Sequence, residues 1–120
     1  METKLKGRFG ECAAADYLRR EGYGIVGLNY ACRFGEIDVI AEDRHYIVFV
    51  EVKLRRDGRF AAAREFVTSA KQARIRKTAL IWLSQNPTEK QPRFDVIEIY
   101  APQGEKTGNI RINHIENAFE

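Results

Sequence analysis

Residues 35–55 read GEIDVIAEDRHYIVFVEVKLR, and they set Glu36, Asp38, Glu51 and Lys53 inside two strongly apolar runs. Side chains alternate between the faces of a strand. Glu36, Asp38 and Ile40 are therefore expected on one face, with Ile37, Val39 and Ala41 on the other. In the second run Ile47, Phe49, Glu51 and Lys53 share a face opposite Val48, Val50 and Val52. An even-length turn centred between Arg44 and His45 pairs Ile40 with Phe49, Asp38 with Glu51 and Glu36 with Lys53. Directly opposed residues share a face, with β-carbons about 4.5–5.5 Å apart, and a slip of one residue would set carboxylates against valines. Two carboxylates held that close repel each other and lose hydration. A shared proton, an ion pair with Lys53 or a divalent cation would each offset this. Oxygen-only ligands favour a hard ion such as Mg²⁺ or Mn²⁺. Held by Asp38 and Glu51, such an ion would acidify a bound water and polarise a phosphodiester. Period-two spacing keeps Lys53 on the face of Glu51, where it could orient that water or stabilise charge developing at phosphorus.

The elements that must position these groups are legible in outline. The alanine run CAAADYLRR has high helix propensity, which predicts a helix over residues 4–21, with Gly22 as its C-terminal glycine. YGIVGLNY reads as a first strand interrupted by glycines and ending at Asn29, and the two apolar runs supply two more. After the basic loop LRRDGRFAAAREFV, Thr68 or Ser69 caps a second helix that runs to about Gln85, with Ile75, Ala79, Trp82 and Leu83 facing the core. RFDVIEIY is a fourth strand, and NIRINHIENAF a fifth that runs into a short terminal turn or helix. The order α-β-β-β-α-β-β implies a mixed α/β fold, a sheet of about five strands flanked by helices.

A chain of 120 residues suits one domain, residues 1–120. A hydrophobic fraction of 44% beside 31% charged residues argues against disorder. No apolar run is long enough to span a bilayer, and nothing in the start METKLKGRFGE resembles a signal peptide, so a cytoplasmic protein is expected. Cys12 and Cys32 match no zinc spacing and read as two reduced thiols. The net charge of +3 is unevenly spread: Lys53 to Lys77 holds nine basic and two acidic residues (+7), the remainder 11 basic and 15 acidic (−4). Such a division suits a polyanion, because phosphate neutralisation supplies most non-specific nucleic-acid affinity. The plainer alternative is a solvated helix face and a charged loop.

Asp38 followed by EVK at 51–53 resembles the core motif of the PD-(D/E)xK, restriction-endonuclease-like nuclease superfamily, which includes Holliday-junction resolvases. More closely, GRFGECAAADYLRREGYGIVGLNY, GEIDVIAED, FVEVKLR, VTSAKQARI, RFDVIEI and HIENAF, in that order, resemble the YraN-like family of small bacterial proteins over nearly the whole chain. The superfamily likeness implies a restriction-endonuclease-like core. It makes Asp38 and Glu51 metal ligands, Lys53 the catalytic lysine, Glu11 the extra acid of resolvase-like members and Gln72 the glutamine some branches carry on the following helix. Ile37 stands where the motif has proline.

Each of these residues also has a plainer reading. Glu36 is expected as a structural partner of Lys53 or an arginine, and Glu11 could be an ordinary solvent-facing helix residue. Asp38, Glu51 and Lys53 could form an ion-pair network of no chemical use, and Gln72 a polar helix position. His45 and His114 are not expected to act as ligand or base, and Asp95 is expected to pair locally near Arg93. Arg33, Arg55, Arg56, Arg59, Lys71 and Arg74 are candidates for phosphate contacts. The resulting expectation is a Mg²⁺- or Mn²⁺-dependent endonuclease acting on DNA, structured or branched DNA included, by attack of a water on phosphorus. A resolvase-like task favours a homodimer. The alternative is a catalytically silent nuclease-like module that binds nucleic acid within a larger assembly. An interaction domain with no nucleic-acid role would leave the +7 segment unexplained.

Overall fold

The computed structural model describes residues 2–55 and 67–120. Its elements are α1 (Glu2–Arg20), β1 (Gly24–Cys32), β2 (Gly35–Glu42), β3 (Tyr46–Arg55), α2 (Ser69–Gln85), β4 (Gln91–Tyr100), a 3₁₀ turn (Gly104–Lys106) and β5 (Arg111–Phe119). The α-β-β-β-α-β-β order is as the sequence implies. At the end of α1 the Tyr23 amide donates to the Leu18 carbonyl at 2.9 Å. That reversal needs φ +95° at Gly22, which a side chain would resist. Thr68 caps α2, its hydroxyl accepting the Lys71 amide at 3.2 Å. No helix among the described residues is long and apolar enough to cross a membrane.

The five strands lie in the order β1-β2-β3-β4-β5, antiparallel except for β3 and β4, which α2 joins by a crossover. Each face of the sheet has its own core. Under α1, Ala14 and Leu18 meet Val39, Ala41, Val48, Val50, Ile97 and Ile99. Under α2, Ile75 and Ala79, with Trp82 and Leu83, meet Ile37, Ile40, Ile47, Phe49 and Val96. β5 remains strand to Phe119 where a terminal turn or helix was expected. The reason is packing: Ile115, Ala118 and Phe119 lie against the α2-side core, and Phe119 stacks on Phe94 with centroids 5.1 Å apart.

The register of the β2–β3 hairpin is the expected one, with pairs Val39↔Val50, Ile40↔Phe49, Ala41↔Val48 and Glu42↔Ile47. Beyond Val39 and Val50 the pairing stops. The expected alternation also fails there. Val39 packs on the α1 side, but Ile37 joins Ile40 on the α2 side. Across from this point β1 does not end at Asn29; it passes through it with φ +53° and continues to Cys32. Leu28↔Val39 and Tyr30↔Ile37 flank the break, and Tyr30 like Ile37 belongs to the α2-side core. A left-handed residue rotates the strand, so faces are exchanged beyond it. Glu36 and Asp38, which flank Ile37, therefore turn toward α1.

Two strands from β2, a buried polar network ties β4, β5, α1 and the turn that follows α1. Asp95, fully buried, accepts two bonds from the Arg93 guanidinium, both 2.9 Å, and one from the Asn117 amide at 3.0 Å. His114 Nε2 lies 2.7 Å from the same carboxylate, and its Nδ1 lies 3.0 Å from the Tyr17 hydroxyl. Arg93 also donates to the Tyr23 hydroxyl at 2.7 Å. Burial raises the Asp95 pKa, but His114 and Arg93 override it and hold the carboxyl below its usual range.

The left-handed backbone at Asn29 gives a direct test. Asn29→Val, which forces a β-branched side chain into that conformation, is expected to destabilise by about 1–2 kcal/mol more than Asn29→Gly. Both lose the Asn29 amide, so urea denaturation of the pair isolates the backbone effect; equal midpoints would refute it.

Candidate functional site

The rotation at Asn29 decides where the acids go. Glu36 and Asp38 on β2 meet Glu11 on α1, and one carboxylate oxygen from each lies within 4.8 Å of the other two. Asp38 also fills the gap left where β2 and β3 part, its Oδ2 accepting the Val52 amide at 2.8 Å. Glu51 and Lys53 keep the parity of Phe49 and so face α2. There the Lys71 ammonium reaches Glu51 Oε1 at 2.6 Å, and Lys53 lies 3.6 Å from the same oxygen. The two acids of the motif thus enter one gap from opposite faces of the sheet rather than standing opposed on one face. Glu36, expected to partner Lys53, lies instead with Glu11 and Asp38.

Electrostatics reflect this crowding. Burial, then the Glu51 charge, pushes the Asp38 carboxyl up to about 7, against the opposing Val52 bond, with Glu11 and Glu36 adding to the rise. Burial also raises Glu11, and Glu36 repels its charged form, while Asn29 and Arg8 partly offset both. Lys53 is lowered by burial and by the neighbouring Lys71, with Glu51 and Asp38 opposing. Burial pulls Lys71 down, but its bond to Glu51 prevails and leaves it raised. The site thus sets carboxyls raised by burial and mutual repulsion near a lysine lowered by burial and by Lys71. Three carboxylates converging from two elements are a fitting donor set for a hard divalent cation, which would relieve the repulsion that lifts Asp38.

The other expected residues divide. Gln72 donates to the Val67 carbonyl at 3.1 Å and so serves the start of α2. Arg55 lies 3.4 Å from Glu98, a fully buried carboxylate that also takes a 2.9 Å bond from Asn113. Arg33 and Arg74 are exposed beside the β1–β2 turn, and Lys71, read as a phosphate contact, is bound to Glu51. Arg56 and Arg59 lie outside the described residues. Cys12 and Cys32 are both free. Sequence reasoning did not assign Glu98 a role; the lone acid in the apolar run VIEIY was the available signal. It also missed His114 as a partner of Asp95, because the tie crosses from β4 to β5.

Comparison with known proteins is consistent throughout. The profile of the uncharacterised protein family UPF0102 matches residues 10–99, which include Glu11, Asp38, Glu51 and Lys53. The UPF0102 protein of Caldanaerobacter subterraneus subsp. tengcongensis is 45% identical over 120 residues, covering 99% of this chain and 98% of that protein. That of Geobacter metallireducens is 45% identical over 122 residues, covering 100% and 96%. That of Frankia casuarinae is 42% identical over 114 residues, covering 94% of each.

The raised Asp38 predicts how stability varies with pH. Between the unfolded value of about 3.9 and the folded value of about 7, the folded state keeps a proton that the unfolded chain has lost. The contribution of this group therefore falls as pH rises through that window. Asp38→Asn, whose amide oxygen still accepts the Val52 bond, is expected to flatten the slope and raise stability at pH 8 on the order of 1–2 kcal/mol. Urea denaturation at pH 5 and pH 8 checks this; identical pH dependence in both proteins would refute it.

Proposed function

This chain belongs to the uncharacterised protein family UPF0102, and from its geometry we propose a divalent-cation-dependent phosphodiesterase acting on DNA. The observation that carries the reading is the convergence of Glu11, Glu36 and Asp38 beside the Glu51–Lys53 pair. The element order and the Asp38, Glu51-x-Lys53 set are compatible with the PD-(D/E)xK nuclease superfamily. In this reading Asp38 holds Mg²⁺ or Mn²⁺ together with Glu11 and Glu36, and Glu51 borders the same gap. The ion supplies Lewis acidity toward water and the phosphodiester. A cation held there would favour the ionised form of Asp38, which burial and Glu51 disfavour. Lys71 fixes the Glu51 carboxylate, which in turn orients Lys53. Lys53, its proton loosened by burial and by Lys71, is placed to exchange a proton with the attacking water and to stabilise charge developing on phosphate oxygen.

A second reading is a nuclease-like module that binds nucleic acid without turnover. The engagement of Glu51 by two ammonium groups favours it, because that carboxylate is already neutralised.

Labelled duplex, flapped, branched and single-stranded DNA incubated with Mg²⁺ or Mn²⁺ separates the two. Lys53→Ala is expected to lower cleavage by at least about a hundredfold with DNA affinity nearly unchanged. Cleavage shared equally by both proteins would identify a contaminant. Binding without cleavage by the unaltered protein would leave the second reading standing.

A further inference from the structure

The β1–β2 turn and the outward side of α2 carry groups that the cation chemistry leaves unused. Phe34 sits at the tip of the hairpin, half-buried and in neither core cluster. Its ring has the Arg33 guanidinium 4.8 Å and the Lys77 ammonium 5.7 Å from its centroid. The turn is held firmly against α2. The Phe34 amide donates to Cys32 Sγ at 3.4 Å, and Cys32 Sγ lies 3.7 Å from the Thr78 hydroxyl. A Cβ on Gly35 would come within 3.3 Å of that hydroxyl and 3.6 Å of the Arg74 Cβ.

Lys71, Arg74 and Lys77 follow one another at three-residue steps along a helix that contains no Asp or Glu, so neighbours lie side by side. Lys71 touches Glu51 at one end of this row, Arg74 borders the turn, and Lys77 lies over Phe34 at the other. Leu80, 66% exposed, comes one step further. Cations leading from the Lys71–Glu51 pair to an aromatic ring match what an unpaired polynucleotide requires, phosphates along the charges and a base on the ring. A base in intact duplex is stacked between its neighbours and cannot reach such a platform.

Resting on the nuclease reading for what becomes of the strand, we propose that Arg74, Lys77, Arg33 and Phe34 form a track for single-stranded nucleic acid that ends at the Lys71–Glu51 pair bordering the gap between β2 and β3, with Phe34 as the stacking residue. The preferred substrate class is then nucleic acid with an unpaired segment beside the scissile bond.

The test is fluorescence anisotropy in EDTA, using a labelled single-stranded DNA oligonucleotide, the same sequence as blunt duplex, and a single-stranded RNA counterpart. Phe34→Leu keeps apolar bulk but removes the ring. It is expected to weaken single-strand binding about tenfold while duplex affinity changes by less than about twofold; Phe34→Trp is expected to bind single strands at least as well as the unaltered protein. Lys77→Gln, at an exposed position, is expected to reduce the slope of log affinity against log salt by about 0.7 on single strands, and it carries the test if Phe34→Leu loses its thermal transition. Equal loss on both DNAs, no loss, or no single-strand binding by the unaltered protein overturns the track. A greater loss on RNA than on DNA would support the track and assign it to RNA. The measurement needs no divalent ion, so its outcome is separable from catalysis. Strand preference without turnover in Mn²⁺ overturns the nuclease reading alone, and turnover without the preference overturns the track alone.

Discussion

Where β2 and β3 part beyond Val39 and Val50, the Val52 amide would be left without an acceptor in a half-buried setting, and Asp38 supplies one at 2.8 Å. A buried backbone donor must find a partner. A side-chain acceptor there has to be short and to point into the gap between strands instead of standing on a face. That requirement fixes the Asp38 carboxylate before any ligand is considered. Once fixed, it lies in the field of Glu51 on one side and Glu11 on the other. The crowding of charge at this place is therefore built into the closing of the hairpin.

Asp95, two strands from Asp38, shows the contrasting solution. Asp95 is as deeply buried as any carboxylate in the described chain, yet Arg93, His114 and the Asn117 amide neutralise and saturate it. Unlike charges with satisfied bonds can be buried at modest net cost, whereas like charges cannot. One site thus ties β4, β5 and α1 together, and at the other the Asp38 carboxyl stays raised among like charges. Raised carboxyls beside a lowered lysine are the pattern expected where a cleft does chemistry.

Much of this arrangement was legible in the sequence. Helix boundaries followed from Gly22 and Thr68, and strand pairing from the apolar faces of the two runs. The side taken by Asp38 was not legible. Period-two reasoning places Ile37 with Val39, and only a rotation at Asn29 separates them. Asparagine tolerates left-handed backbone but does not require it, and here it read as the end of a strand. The convergence of Glu11 and Glu36 depends on the same rotation, so it was hidden for the same reason. Lys71 was expected to face phosphate because no local rule reveals that the first turn of a crossover helix passes over Glu51.

The exchange of faces at Asn29 also separates two evolutionary pressures within a single hairpin. Inward of it Val39 and Ala41 pack beneath α1 and Ile40 beneath α2; outward of it Ile37 and Tyr30 pack beneath α2 and Asp38 joins the acid cluster. An insertion at the tip would have to break the pairs Tyr30↔Ile37, Ala31↔Glu36 and Cys32↔Gly35 before it reached Leu28↔Val39. A small fold thereby gains a tip that can diversify while its foundation stays put.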